Sequence, residues 1–452
     1  MNDKNSGVKD LTEGEPARLL FFFTLPLLAG NIFQQFYGFV DTLIVGRFLG
    51  VNALAAVGCT GPLMFLFLGF VMGMTGGVTI YTGQRFGAKD FDGIRRSVAA
   101  CTVLSLTVAI IMSIFGVLFC RDLLEWMDTP PDIIDGAHSF IVIVYGGISA
   151  FILLNLQSNL LRALGDSKMP TIFQAATLSL NIVLEPIAII VLDGGIPGAA
   201  LATIISITIG NLIIFTYIKR RVPILHTTRE DWRLDRKILW EHARLGLPMG
   251  LQTSIIAIGA VVLQVALNNL GPIAVASFAA AHRVDGIAVM PMMSFGVAIS
   301  AYTAQNFGAQ KFARIEEGVK KCVMMSCSFS VIAALFNIFF GADIMRLFVG
   351  EGQDQIIEYG RQFLVINGVC YWIMALLFIF RFTLQGLGRS FVPTIAGIME
   401  LIMRVLAAIF LVDMYGCIGA CLSNPLAWLG AFLPLTIAFF MTRREFRRMY
   451  NY

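Results

Sequence analysis

Apolar residues run through this chain in long blocks, broken at intervals by glycine, proline and charge. A bilayer core takes about 20 apolar residues per helix. Blocks of that kind cover residues 17–46, 51–81, 97–121, 133–161, 167–192, 197–219, 244–268, 273–303, 319–342, 356–383, 390–413 and 416–442. The breaks carry turn-forming or charged residues, such as Gly46 to Gly50, Pro130–Pro131, Gly194 to Pro197 and Asp413 to Gly416. The pattern predicts an all-α polytopic membrane protein with twelve transmembrane helices.

Composition narrows the class further. Hydrophobic residues make up 57% of the 452 positions and charged residues 14%, where soluble domains carry about 45–50% and about 25%. A soluble enzyme, a disordered or fibrous chain and a peripheral protein on one anchor are therefore excluded. The net charge of +4 comes with no concentrated basic face, so no nucleic-acid partner is expected. The segment Met1 to Glu15 is polar and lacks the features of a cleaved signal, so the first span is expected to be retained. The eight cysteines fall mostly inside apolar blocks without a CxxC pair and read as small core residues.

Lysine and arginine set the orientation. With twelve spans, 27 of the 33 basic residues fall on one side, including Lys4, Lys9 and Arg18, the central cluster from Lys219 to Arg244, and Arg443 to Arg448. Four fall on the other side, and Arg283 and Arg404 lie within spans. Both termini are expected to be cytoplasmic.

The chain also repeats itself. Tyr81 to Ala88 and Tyr302 to Ala309 share six of eight residues at an offset of 221, and Leu164 to Thr171 and Leu387 to Thr394 share five of eight at 223. Gly198–Ala199 pairs with Gly419–Ala420, and Pro26 with Pro248. The expected domains are an N-lobe over 1–219, a cytoplasmic linker over 220–243, and a C-lobe with a short basic tail over 244–452. Each lobe holds an even number of spans, so the repeats are parallel, as in transporters that bind substrate between two rocking halves.

Four acids lie inside spans: Asp41, Glu185, Asp285 and Glu400. An ionisable group there costs about 2.5–3.5 kcal/mol or more and persists where it pairs, meets water or does work. Gln34, Tyr37 and Asp41 share one helical face, and Asn181 lies one turn before Glu185, which Pro186 follows. Counted from the outer turns, Asp41, Glu185 and Thr203 lie within about 7 Å of one another in depth. Such a group suits one small cation or shared protons. Glu400 has Arg404 at i+4 on its own face, while Asp285 has Arg283 nearby in sequence, two positions away and not facing it; both acids read as members of structural ion pairs, and His282 as a satisfied interior histidine. Met290, Met292, Met293 and Phe295 cluster on span 8 and offer an adaptable cavity wall. No ATP-binding loop or hydrolase motif occurs, so no enzyme activity and no cofactor are expected.

Four motifs together resemble the multidrug and toxic compound extrusion (MATE) family. They are Val40-Asp41-Thr42-Leu43-Ile44-Val45-Gly46-Arg47, Gln84-Arg85-Phe86-Gly87-Ala88-Lys89, Arg162-Ala163-Leu164-Gly165-Asp166 and Asn181-Ile182-Val183-Leu184-Glu185-Pro186. The resemblance runs from about residue 15 to about 444. It implies export of cationic amphipathic compounds against inward H⁺ or Na⁺, with the coupling ion bound by Asp41, Asn181, Glu185 and Thr203, which is also where Na⁺ would sit. It implies that helix 1 bends at Pro26 and that Gln34, Tyr37 and Asn155 face the cavity. Expected partners are small organic cations and membrane lipid, the expected unit is a monomer, and the expected location is a bacterial inner membrane. The family usually has Asp where Glu185 stands, and some branches use an acid on helix 7 that is missing here. A flippase for lipid-linked cargo is the alternative reading; the interior acids argue against the basic cavity it would need.

Overall fold

The computed structural model describes residues 8–350 and 352–450. Lys4, counted above with the basic residues, lies outside them. Among the described residues, eleven helices are long and apolar enough to cross a membrane, and a pair bent by 48° supplies a twelfth. In chain order they are α1 (Pro16–Leu49), α2 (Gly61–Gly87), α3 (Phe91–Trp126), the bent α4 (Pro131–Gly146 and Ile148–Ala163), α5 (Lys168–Val191) and α6 (Gly195–Arg221). The second half gives α7 (Arg236–Asn269), α8 (Pro272–Gly308), α9 (Phe312–Val349), α10 (Asp354–Gly386), α11 (Phe391–Tyr415) and α12 (Cys417–Met449). The protein is thus a multi-pass membrane protein with spans where the apolar blocks lie. Several helices run past the apolar limits; α3 starts at Asp90, whose carboxylate accepts from the Gly93 N–H at 2.9 Å.

The repeat is written into the backbone. Lys89 and Gln310 both take a left-handed conformation, with φ 57° each. Gly165 and Gly388 stand at φ 85° and 79°, and Gly195 and Gly416 at 55° and 56°. Each lobe also closes its fifth span with one π-type turn, Ile187–Val191 in α5 and Ala407–Leu411 in α11. Pro186 precedes only the first of these, so the turn belongs to the repeat and not to the proline. The bulged turn pushes a carbonyl toward the next helix. A Cβ at Gly198 would lie 3.0 Å from the Ala188 oxygen, and one at Gly419 would overlap the Leu411 oxygen. The Gly198 and Gly419 landmark is the packing partner of that turn.

The chain divides into two compact units. One takes residues 29–250 with the described residues up to Asp10; the other takes residues 11–28 and 251–452. This differs from the sequence division at two places. The first turns of α1 belong to the second unit, and the first turns of α7 belong to the first. Pro26 and Pro248 lie within three residues of the changeovers, and both helices continue through their prolines. In the second unit, Leu11, Leu19, Leu20, Phe23 and Leu27 join a core with Met292, Phe295, Tyr302 and Tyr371. In the first unit one core gathers Met74, Ile94, Leu160 and Phe173, and another Ala109, Ile141 and Tyr145.

Candidate functional site

Three helices of the first unit bring the sequence-singled polar residues together. On α1, Tyr37 and Asp41 are one turn apart and point the same way. On α5, Asn181 and Glu185 repeat that spacing, and both are buried, Glu185 to 1% exposure. On α6, Thr203 completes the group. The Tyr37 hydroxyl lies 2.6 Å from Asn181 Oδ1 and 3.2 Å from Asp41 Oδ1. Asn181 Nδ2 donates to Thr203 Oγ1 at 3.3 Å, and the Thr203 hydroxyl donates to the Ala199 carbonyl at 3.1 Å. The Asp41 and Glu185 carboxyls are within hydrogen-bonding reach of each other. Glu185 Oε2 is buried with no donor against it.

The direction of these bonds is informative. Thr203 spends its proton on Ala199, so it accepts from Asn181, and this fixes the amide with its oxygen toward Tyr37. The single Tyr37 proton then faces two acceptors, Asn181 and Asp41, and serves the nearer. The chain lacks one donor on its Asp41 side. Two facing carboxyls, Glu185 buried with an unserved oxygen and Asp41 half-buried, make a place for one proton or one small cation.

The other residues singled out in the sequence sit elsewhere. Gln34 is exposed and accepts from Gln174 Nε2 at 3.1 Å, a partner that the sequence reading missed. Asn155 turns back on its own helix and donates to the Phe151 carbonyl at 2.9 Å. Met292 is fully buried in the second unit's core and Met290 is 8% exposed, so neither forms an open wall; Met293, between neighbouring faces, is the exposed one. Pro26 lies in an unbroken α1. In the second unit, Glu400 pairs as expected with Arg404 at 3.2 Å, and also with Arg381 at 3.0 Å, which the sequence did not suggest. Asp285 is not paired with Arg283, which is exposed; it accepts instead from Tyr371. The His282 side chain is 72% exposed and not an interior group. Helical spacing accounts for the first difference, since residues two apart do not face each other; His282, one turn before Asp285, lies beside it with its ring exposed.

Two duplicated helical halves crossing a membrane, one of them holding a convergent pair of interior carboxyls, define the class: a polytopic membrane transporter. The sequence model of the MatE family matches residues 26–187 and again 248–410, one match in each half. The chain belongs to this family of membrane transporters. It is 30% identical over 383 residues to the probable multidrug resistance protein YpnP of Bacillus subtilis, covering 84% of both chains. It is 28% identical over 388 residues to the probable multidrug resistance protein YoeA of the same organism, covering 84% of this chain and 83% of that one. A solved multidrug resistance MATE transporter of the MOP superfamily in an outward-facing conformation shares the fold, with a TM-score of 0.89, 23% identity, and coverage of 98% and 99%.

Proposed function

We propose that this transporter exports cationic amphipathic compounds in exchange for an inward-moving cation, its two lobes alternating access to the two sides of a bacterial inner membrane. Both termini are cytoplasmic in this reading, as the basic loops require, and one chain is the working unit. The names of its Bacillus relatives support drug export. The observation that carries the coupling is the Asp41, Tyr37, Asn181, Thr203 and Glu185 cluster.

The bond directions in that cluster favour a proton over Na⁺. A proton on Asp41 supplies the missing donor toward Tyr37, and the bonds then run one way, from Asp41 through Tyr37 and Asn181 to Thr203 and Ala199. Na⁺ would sit among Asp41, Asn181, Glu185 and Thr203, and would need the Asn181 oxygen that Tyr37 already occupies. Loading and substrate binding oppose each other: whatever the ion does to substrate affinity, the substrate does equally to the ion's.

The test is ethidium movement in proteoliposomes under imposed pH or Na⁺ gradients, with Asp41→Asn beside wild type. Movement driven by the pH gradient and lost in the variant is expected. Movement driven only by Na⁺ would replace the proton. No movement under either gradient would end the drug-export reading and bring lipid-linked cargo forward.

A further inference from the structure

The second unit buries a carboxyl that the coupling cluster does not use. Asp285 on α8 is 4% exposed. Its Oδ1 accepts from the Tyr371 hydroxyl on α10 at 2.7 Å, and that hydroxyl accepts from Asn337 Nδ2 on α9 at 3.0 Å. Amide, hydroxyl and carboxyl thus form a directed chain that holds one oxygen in place. The other oxygen, Oδ2, lies 4.0 Å from His282 Nδ1, one turn away, whose side chain is 72% exposed. One carboxyl oxygen is anchored and the other faces an imidazole open to its surroundings.

No cation is committed to Asp285. Arg404 is within electrostatic reach, but its guanidinium is 3.2 Å from Glu400, which also holds Arg381 at 3.0 Å. Residues 251–269 of α7 and 417–442 of α12 contain no charged side chain. With Asp285 ionised, the charges of the buried Asp285, Glu400 and Arg381 and the nearly buried Arg404 cancel; with Asp285 protonated, one positive charge remains. Asn367, one turn before Tyr371 on α10, is fully buried with both polar side-chain atoms unpartnered, a spare amide on the Tyr371 face. None of this is inherited from the repeat. The positions 221 residues before Asp285, Asn337 and Tyr371 are Met64, Gly116 and Ala150.

We propose that Asp285 is a second proton-exchange site, loaded and emptied through His282. The imidazolium passes its Nδ1 proton to Asp285 Oδ2, directly on a small rotation or through one water, and becomes neutral; emptying reverses the step. The ligand is a proton because a metal cation would find too few oxygens here: Asn337 presents its N–H side to Tyr371, and Tyr371 presents its proton to Asp285. The site stands apart from the drug-export reading, and its test does not need transport.

That test is infrared difference spectroscopy of the purified full-length protein across pH, following the C=O stretch of protonated carboxyls. The difference between the Asp41→Asn/Glu185→Gln variant and the same variant with Asp285→Asn added is expected to contain one titrating C=O band, the other carboxyls cancelling. Tyr371→Phe, placed on the same double variant, removes the donor that favours the ionised form, so the Asp285 proton is expected to bind about tenfold more tightly. His282→Gln is expected to leave the midpoint nearly in place and slow the exchange. No titrating band in that difference, or a midpoint unmoved by Tyr371→Phe, would overturn the proposal. A band removed by Na⁺ at constant pH would also overturn it, in favour of a sodium site. Ethidium export failing while the Asp285 band titrates would sink the drug reading alone.

Discussion

The Tyr37 hydroxyl lies 2.6 Å from Asn181 Oδ1, joining α1 to α5 at the depth where the interior acids meet. It leaves Asp41, at 3.2 Å, as the weaker claimant on the same proton. A tyrosine that the sequence places on a cavity face is therefore the hub between carboxyl and amide.

Tyr37→Phe removes that hub and keeps the ring. A hydrogen bond within a charged group's network is worth about 1.5–3 kcal/mol, so gradient-driven ethidium export is expected to slow by roughly tenfold or more. Initial rates in proteoliposomes decide it; a variant as fast as wild type would remove Tyr37 from the coupling path.

At position 185 the carboxyl matters more than the chain length. Glu185→Asp, the residue usual in the family that this sequence resembles, is expected to retain gradient-driven export with an altered ion dependence. Glu185→Gln is expected to lose it while eluting as a single folded species in size exclusion. Equal export by both variants would show the carboxyl to be dispensable.

Glu400 neutralises two arginines that have almost no solvent, with side chains 5% and 11% exposed. Glu400→Gln strands them, at a cost of about 3–5 kcal/mol. A large drop in thermal midpoint is expected, measured by the temperature at which the detergent-solubilised protein loses its monodisperse peak. An unchanged midpoint would mean that the triad adds nothing to stability.

The two bulge-facing glycines differ in tightness. Gly419→Ala overlaps the Leu411 carbonyl, where Gly198→Ala meets the Ala188 oxygen at 3.0 Å. Overpacking costs about 1–3 kcal/mol, so Gly419→Ala is expected to lower the thermal midpoint more than Gly198→Ala does. The reverse order would contradict the packing described.

Asp231 lies in the linker between α6 and α7. Burial pushes its carboxyl up, but the Thr228 N–H at 2.7 Å, the Thr228 hydroxyl at 2.8 Å and the charges of Arg95 and Arg96 outweigh it and hold it below the usual range. A depressed carboxyl contributes stability that is complete above its unfolded value, about 3.9, and fades as pH falls further. Asp231→Asn is thus expected to destabilise by a constant amount from pH 8 to about pH 5, with the difference from wild type shrinking only below about pH 4. A gap that closes already at pH 6 would assign the effect to another group.

Much of the fold was legible in the sequence because membrane spans are read from long apolar blocks, and α1 to α12 fall on them. The Asp41, Asn181, Glu185 and Thr203 cluster was legible because a buried acid without a partner on its own helix stands out, and counting residues from the turns gives depth. Gln174 and Arg381 were not, because a partner on another helix leaves no local spacing signal. Asp285 was misjudged for a related reason: its neighbour Arg283 is close in sequence and turned away in space. The methionines of α8 failed as a wall because composition says that a side chain is adaptable, not which way it faces.

The exchange of helix beginnings at Pro26 and Pro248 bears on how the protein is made. Residues 11–28 leave the ribosome well before the residues after 250 that supply the core they complete. The first unit, for its part, stays open until the first turns of α7 have been synthesised. A polypeptide ended in the linker would carry the whole first repeat and still lack a wall of its bundle, while the matching C-terminal fragment would lack the helix that seals its own. The gene holds two copies of one pattern, but translation cannot deliver either copy as a finished product.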